Sequence, residues 1–159
     1  MVEKQISAKI LFCTFDELSE GEKKLMLKAK EVSEKAYAPY SGFNVGAALL
    51  LDNGEIVTGN NQENAAYPSG LCAERVAMFY ANATWPDSSI IMLAIAASNS
   101  KGFIDKPVAP CGSCRQALLE AENRHEKPMR ILLFGDQEIA IIESVKDILP
   151  LSFGKEFLK

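Results

Sequence analysis

The sequence predicts an α/β domain of three layers, with helices on both faces of one mixed central sheet of about five strands. Strand-like and helix-like segments alternate along the 159 residues, the pattern of a layered α/β domain. An Asn53-Gly54 turn joins two strand-like runs, so the sheet opens on an antiparallel hairpin and cannot be purely parallel. Residues 90–97 are apolar without interruption, as expected of a central strand buried on both faces. With no internal repeat, low-complexity stretch or linker, residues 1–159 read as one domain.

Residues 5–13 (QISAKILFC) fit either a short strand or an arm, and residues 1–18 form an N-terminal extension without an assignable role. Ser19 and Glu22 match a capping box ahead of a helix whose buried face carries Leu25, Ala29, Val32 and Ala36, and which Pro39 ends. Residues 45–51 and 55–58 are the hairpin strands, with Asn53-Gly54 as a two-residue turn. The segment from Gly59 to Asn64 is too polar for a core. Residues 72–83 are helical, residues 90–98 a strand, and residues 111–123 a second helix of this half. Residues 129–134 and 138–142 are strands around Gly135-Asp136, and residues 145–149 a short helix stopped by Pro150.

With 48% hydrophobic and 24% charged residues, the composition is that of a globular protein, which excludes disorder. No apolar run approaches the roughly 20 residues of a membrane helix, so no membrane partner is expected. Net charge is −4 and Lys and Arg form no block, so the expected partner is a small uncharged molecule and no nucleic acid. The first residues lack a basic stretch followed by an apolar one, so the expected location is cytoplasmic. In that reducing setting the four cysteines are not read as two disulfides, and a CxxC points to metal or redox chemistry.

Two segments carry the chemistry: Cys72-Ala73-Glu74-Arg75, and Pro110 through Arg115 with Cys111 and Cys114. Each follows a loop and opens a helix, where free N–H groups and the positive dipole end favour thiolates. Cys111 and Cys114 share a helix face, and Cys72 adds a third sulfur from another helix. Three protein ligands on Zn²⁺ leave a fourth position for water, the mark of a catalytic rather than a structural site. Three thiolates over-neutralise the ion, so Arg75 and the two helix N-termini are the candidates for tuning that charge; for Arg75 the alternative is a surface salt bridge. Glu74 is placed to move protons at the bound water, the alternative being a helix-start Glu that complements the dipole. His125, in the charged stretch 123–127, could close a structural site, and Cys13 reads as a small buried hydrophobe.

The pattern of Cys, one residue, Glu, and a later PCxxC is the signature of zinc deaminases of nucleobases. CAER with PCGSCRQ resembles the cytidine deaminase family in its small homotetrameric branch. So do AYAPYS at 36–41, Phe43, VGAAL at 45–49, NQENAAY at 61–67 and LPLSFG at 149–154. The resemblance implies hydrolytic deamination of cytidine and deoxycytidine to uridine and deoxyuridine, with loss of ammonia, in pyrimidine salvage. Cys72, Cys111 and Cys114 would hold zinc, with Glu74 as proton shuttle. It further implies that Phe43, Asn61 and Glu63 line the nucleoside pocket, with Asn61 and Glu63 on ribose hydroxyls. Ala65 and Tyr67 would reach a neighbouring subunit's site, and Phe153 would stack on the base across a subunit boundary of a homotetramer with shared sites. Read without the family, Phe153 is a C-terminal core anchor. Asn60 departs from the branch, whose members often carry Cys there.

Two rival readings remain open on the sequence. One is a zinc deaminase for another base, such as guanine or tRNA adenosine, although those usually have a His as first ligand. The other is a non-catalytic structural zinc protein, which requires a closed tetrahedral site.

Overall fold

The computed structural model describes residues 1–158. Its strands are β1 (Ile10–Cys13), β2 (Asn44–Leu51), β3 (Ile56–Asn60), β4 (Ile90–Asn99), β5 (Gly102–Phe103), β6 (Arg130–Phe134) and β7 (Ile139–Ile142). Its α-helices are α1 (Glu20–Ser33), α2 (Ala73–Thr84) and α3 (Gly112–His125). One sheet runs β1-β7-β6-β4-β2-β3, with β5 attached to β4. Only β4 and β6 pair in parallel, joined by the crossover that contains α3; the other pairs are antiparallel. The sheet is mixed, as expected, but has seven strands rather than about five. The two extra ones are β1, ordered by its register of Ile10 on Ile142, and β5, two residues too short for any periodic signal.

Alternation along the strands divides the core into two layers. Ala47, Leu49, Leu93, Ile95, Ile131, Leu133 and Ile142 face α2 and α3. Ala48, Ala94, Ala96, Leu132, Phe134 and Ile141 face α1, through Leu25, Met26 and Ala29. The predicted helices on both faces are therefore present, and β4 is the central strand. Among the described residues no helix is long and apolar enough to cross a membrane.

Ser19 caps α1 as predicted. Its side chain accepts from the Glu22 amide, while Glu22 accepts from the Ser19 backbone N–H at 2.8 Å. The helix stops at Ser33, well before Pro39, so Ala36 is not on its buried face. The buried Ser33 hydroxyl donates to the Lys30 carbonyl at 2.7 Å, and the next amides take i−3 carbonyls that tighten the turn. The hairpin also differs from expectation. Its loop is Asp52–Gly54, three residues, with φ +88° at Gly54 alone. A two-residue type I′ turn needs positive φ at both central residues, and Asn53 has none. His125 is not in a loop but is the last residue of α3. Residues 10–13 are a strand while residues 1–9 run exposed beside it, so both readings of the N-terminus apply to different parts.

Close approach of helix and sheet places the first half of the site. A Cβ on Gly59 would lie 2.6 Å from the Ala77 amide nitrogen and 2.7 Å from the Ala73 carbonyl oxygen. The backbone of β3 thus rests directly on the first turns of α2. On the opposite layer a Cβ on Gly46 would run into the Ala29 carbonyl of α1. The second half is held by Glu122 of α3, 4% exposed, which accepts from Met129 N, Val145 N and Ser144 Oγ. These bonds tie the far end of α3 to the strand it feeds.

Gly59→Ala is expected to force α2 off β3 at a cost of about 1–3 kcal/mol, the usual range for overpacking. Urea unfolding would register a lower midpoint with an unchanged slope. Wild-type stability in that experiment would mean that α2 can retreat freely.

Candidate active site

Cys72 and Cys111 are the N-caps of α2 and α3, both in extended backbone conformation. Cys114 lies in the first turn of α3 and is buried. Two helix starts, carried in from different strands, therefore converge on three sulfurs. The three Sγ atoms lie within 4.8 Å of one another, and Cys72 and Cys111 are 3.7 Å apart. Zinc about 2.3 Å from each sulfur in tetrahedral geometry sets neighbouring sulfurs about 3.8 Å apart, whereas a disulfide needs about 2.05 Å. The cluster thus has the spacing of a metal centre, and its donor set suits zinc.

Hydrogen bonding with Cys114, followed by that from Arg75 and Cys111, pushes the Cys72 thiol down to about 5. The Cys114 thiol is pushed up, first by its hydrogen bond with Cys72, then by burial and the charge of Glu74. One thiolate therefore forms readily while the next resists, because negative charges are crowding into one volume. A divalent ion reverses that resistance and displaces the remaining protons.

Arg75 places Nη2 3.8 Å from Cys72 Sγ. It makes no ion pair with a carboxylate among the described residues, so the surface salt bridge reading does not hold. Its Nε is buried without a hydrogen-bond partner, as suits a cation aimed at sulfur. Glu74 is 4% exposed, and burial raises its carboxyl, with the nearby Cys72 charge adding to the effect. Burial of this kind favours the protonated acid.

A cleft of about 500 Å³ begins at Cys72 and Arg75 and is lined by Asn61, Glu63, Tyr67 and Tyr40 among others. Asn61 Oδ1 accepts from the Val45 amide at 2.7 Å and its Nδ2 donates to the Phe43 carbonyl at 2.9 Å. Glu63 Oε2 accepts from the Tyr40 amide at 2.8 Å and the Ser41 amide at 3.3 Å. Hydrogen bonds from Ser41 and Tyr40 hold the Glu63 carboxyl below its usual range. Phe43 is half-buried and lies outside the cleft lining. Ala65 and Tyr67 are exposed, and so is Phe153, at 56%, which rules it out as a core anchor. The Phe153 ring instead stacks on Phe157, centroids 5.7 Å apart, and its carbonyl accepts from Gln116 Nε2 at 2.9 Å.

Two positioning side chains, Arg115 and Gln116, belong to the PCGSCRQ motif, but nothing in the sequence discloses the bonds they make. Gln116 ties the C-terminal segment to α3. Arg115 donates to the carbonyls of Pro110 and Ile148, at 2.8 and 2.9 Å, bracing the loop that delivers Cys111. His125 is at the far end of α3 from Cys111, and Cys13 packs against the α1 layer; neither belongs to the sulfur cluster.

Cys111→Ala leaves two sulfurs, so zinc content by atomic absorption is expected to fall well below one ion per chain after gel filtration. One full equivalent retained by the variant would identify a different ligand set.

The sequence model for the cytidine and deoxycytidylate deaminase zinc-binding region matches residues 19–126, which include the three cysteines, Glu74 and the cleft residues up to Tyr67. The chain is 41% identical over 135 residues to a cytidine deaminase of Sporosarcina psychrophila, a match covering 85% of this chain and 93% of that one. It is 39% identical over 133 residues to the cytidine deaminase of Halalkalibacterium halodurans, covering 83% and 93%. Its structure resembles the crystal structure of cytidine deaminase from Burkholderia pseudomallei with a TM-score of 0.70 at 35% identity, over 86% of this chain and all of that one. Sequence and fold agree with the sulfur geometry, and the chain belongs to the cytidine and deoxycytidylate deaminase zinc-binding family.

Proposed function

We propose that this chain hydrolyses cytidine and deoxycytidine to uridine and deoxyuridine with release of ammonia. The observation that carries this reading is the trio of thiols at zinc spacing next to a buried Glu74, with Cys72 of that trio lining a cleft of about 500 Å³. Bound by Cys72, Cys111 and Cys114, zinc supplies the Lewis acidity that makes water nucleophilic at neutral pH. Arg75 and the two helix starts offset the excess negative charge of three thiolates.

Glu74 takes a proton from water as its oxygen bonds to C4 of the pyrimidine, and delivers that proton to N3. It then takes the proton of the new hydroxyl and passes it to the amino nitrogen. The C4–N bond breaks, ammonia leaves, and the C4 carbonyl closes. Burial supports this shuttle because it strengthens the carboxyl's hold on the proton it takes from water. Asn61 and Glu63 hold the sugar with what their backbone bonds leave free: one N–H of Asn61, and Oε1 of Glu63. Phe43, whose carbonyl accepts from Asn61, backs this pair.

Ala65, Tyr67 and Phe153 act across subunit boundaries of a homotetramer with shared sites. Their exposure in the single chain supports this reading, because aromatic rings at 76% and 56% exposure have much to gain from a partner. The enzyme works in the reducing cytoplasm, in pyrimidine salvage, where three metal-binding thiols are kept from oxidation.

Loss of absorbance from cytidine, with adenosine, guanine and deoxycytidylate in parallel, tests the reading directly. Turnover of another base with none of cytidine would refute it. Glu74→Gln is expected to retain zinc and fold while kcat falls about 10²- to 10⁴-fold. Near wild-type turnover in that variant removes the shuttle role. Phe153→Ala is expected to raise KM roughly tenfold, as one lost aromatic stack would. Full activity of wild-type monomer at dilutions that dissociate any oligomer would reject the shared site.

A further inference from the structure

Tyr40 and Ser41 form a wall of the cleft, on a segment from Tyr37 to Phe43 that belongs to no regular element except a single bridge at Tyr37. Its backbone must still place every N–H. Pro39 has none, the Gly42 amide closes a local turn on Ala38, and the Phe43 amide takes Ser41 Oγ at 3.0 Å. The Tyr40 and Ser41 amides both donate to Glu63 Oε2. Where the wall enters β2, the Val45 amide donates to Asn61 Oδ1 and the Phe43 carbonyl accepts from Asn61 Nδ2. The Asn61 amide therefore acts as an extra peptide unit, pairing with β2 where β3 has run out. Glu63 does the same one step further with a carboxylate. Main-chain bonds from Asn61 and Glu63 to Tyr37 fix where these side chains start.

We infer that Asn61 and Glu63 are positioning residues for the Tyr40–Val45 segment, which carries the cleft wall of Tyr40 and Ser41, so that part of their effect on turnover is independent of any sugar hydroxyl. This rests on the nucleoside reading above and assigns those two side chains a second duty within it. A residue that only binds a hydroxyl loses its effect when the hydroxyl is removed. One that holds the wall keeps its effect, and expresses it in kcat, because displacement of a positioned group by about 1 Å can cost as much as 10²-fold.

Two measurements on zinc-loaded protein test this. Amide exchange is followed in wild type, Asn61→Ala, Glu63→Ala and Glu63→Gln. Tyr40 and Ser41 are expected to exchange at least tenfold faster in Glu63→Ala but close to wild type in Glu63→Gln, whose carbonyl oxygen still accepts. Val45 is expected to speed up similarly in Asn61→Ala. Kinetics then compare cytidine with 2′,3′-dideoxycytidine, which lacks both ring hydroxyls. Asn61→Ala is expected to lower kcat roughly tenfold or more on both substrates. Unchanged protection of Tyr40, Ser41 and Val45 overturns the inference, and so does a kcat loss that vanishes on the dideoxy substrate. If wild type turns over neither pyrimidine, the nucleoside reading fails instead, while the exchange pattern still reports on the wall.

Discussion

Three sulfur anions within one small volume repel each other, and most of the architecture around them answers that repulsion. Without a counter-charge the second proton is held tightly, as the opposite displacements of Cys72 and Cys114 display. Two helix starts meet at the cluster, so their unpaired N–H groups and dipoles face the same sulfurs. The Arg75 guanidinium approaches Cys72 from the cleft side. The ion completes what these fixed partial charges begin, which makes metal binding part of the stability of this corner of the fold.

Meeting of two helix starts is itself a product of the sheet. Helix α2 follows the hairpin of β2 and β3, and bare backbone at Gly59 lets it settle against β3. Helix α3 is the crossover between the parallel strands β4 and β6, so its N-terminus must lie beyond the C-terminal end of β4. Glu122 fixes one end of that helix and Arg115 braces the loop entering the other. The same sheet leaves the 37–43 segment without strand partners, and two polar side chains stand in for them.

Local chemistry was legible in the sequence, and non-local chemistry was not. Ser19 and Glu22 announce their cap because both partners lie within one turn. The three cysteines that cluster, Cys72, Cys111 and Cys114, are readable because metal ligation demands particular residue types at short spacing. The end of α1 is hidden, since it depends on Ser33 turning back to Lys30 and on β2 pressing against Ala29. The hairpin loop was misread because Asp52 is occupied elsewhere: it accepts from Ser89 and Lys127, 37 and 75 residues away. β1 depends on β7, over a hundred residues distant. Asn61 and Glu63 were recognisable as polar residues in a binding segment, but an amide in a sequence does not disclose which backbone it will complete.

The three ligands differ in their access to solvent: Cys114 is buried, Cys72 half-buried and Cys111 exposed. Metal exchange proceeds one bond at a time, so this gradient sets a sequence of events. A competing chelator meets the Cys111 vertex first, while the Cys114 bond is shielded by the body of the domain. An incoming ion would meet that same exposed sulfur first, with the deep one as its anchor. An ion held by these sulfurs would thus be reached from the protein's rim rather than through the hydrophobic layers.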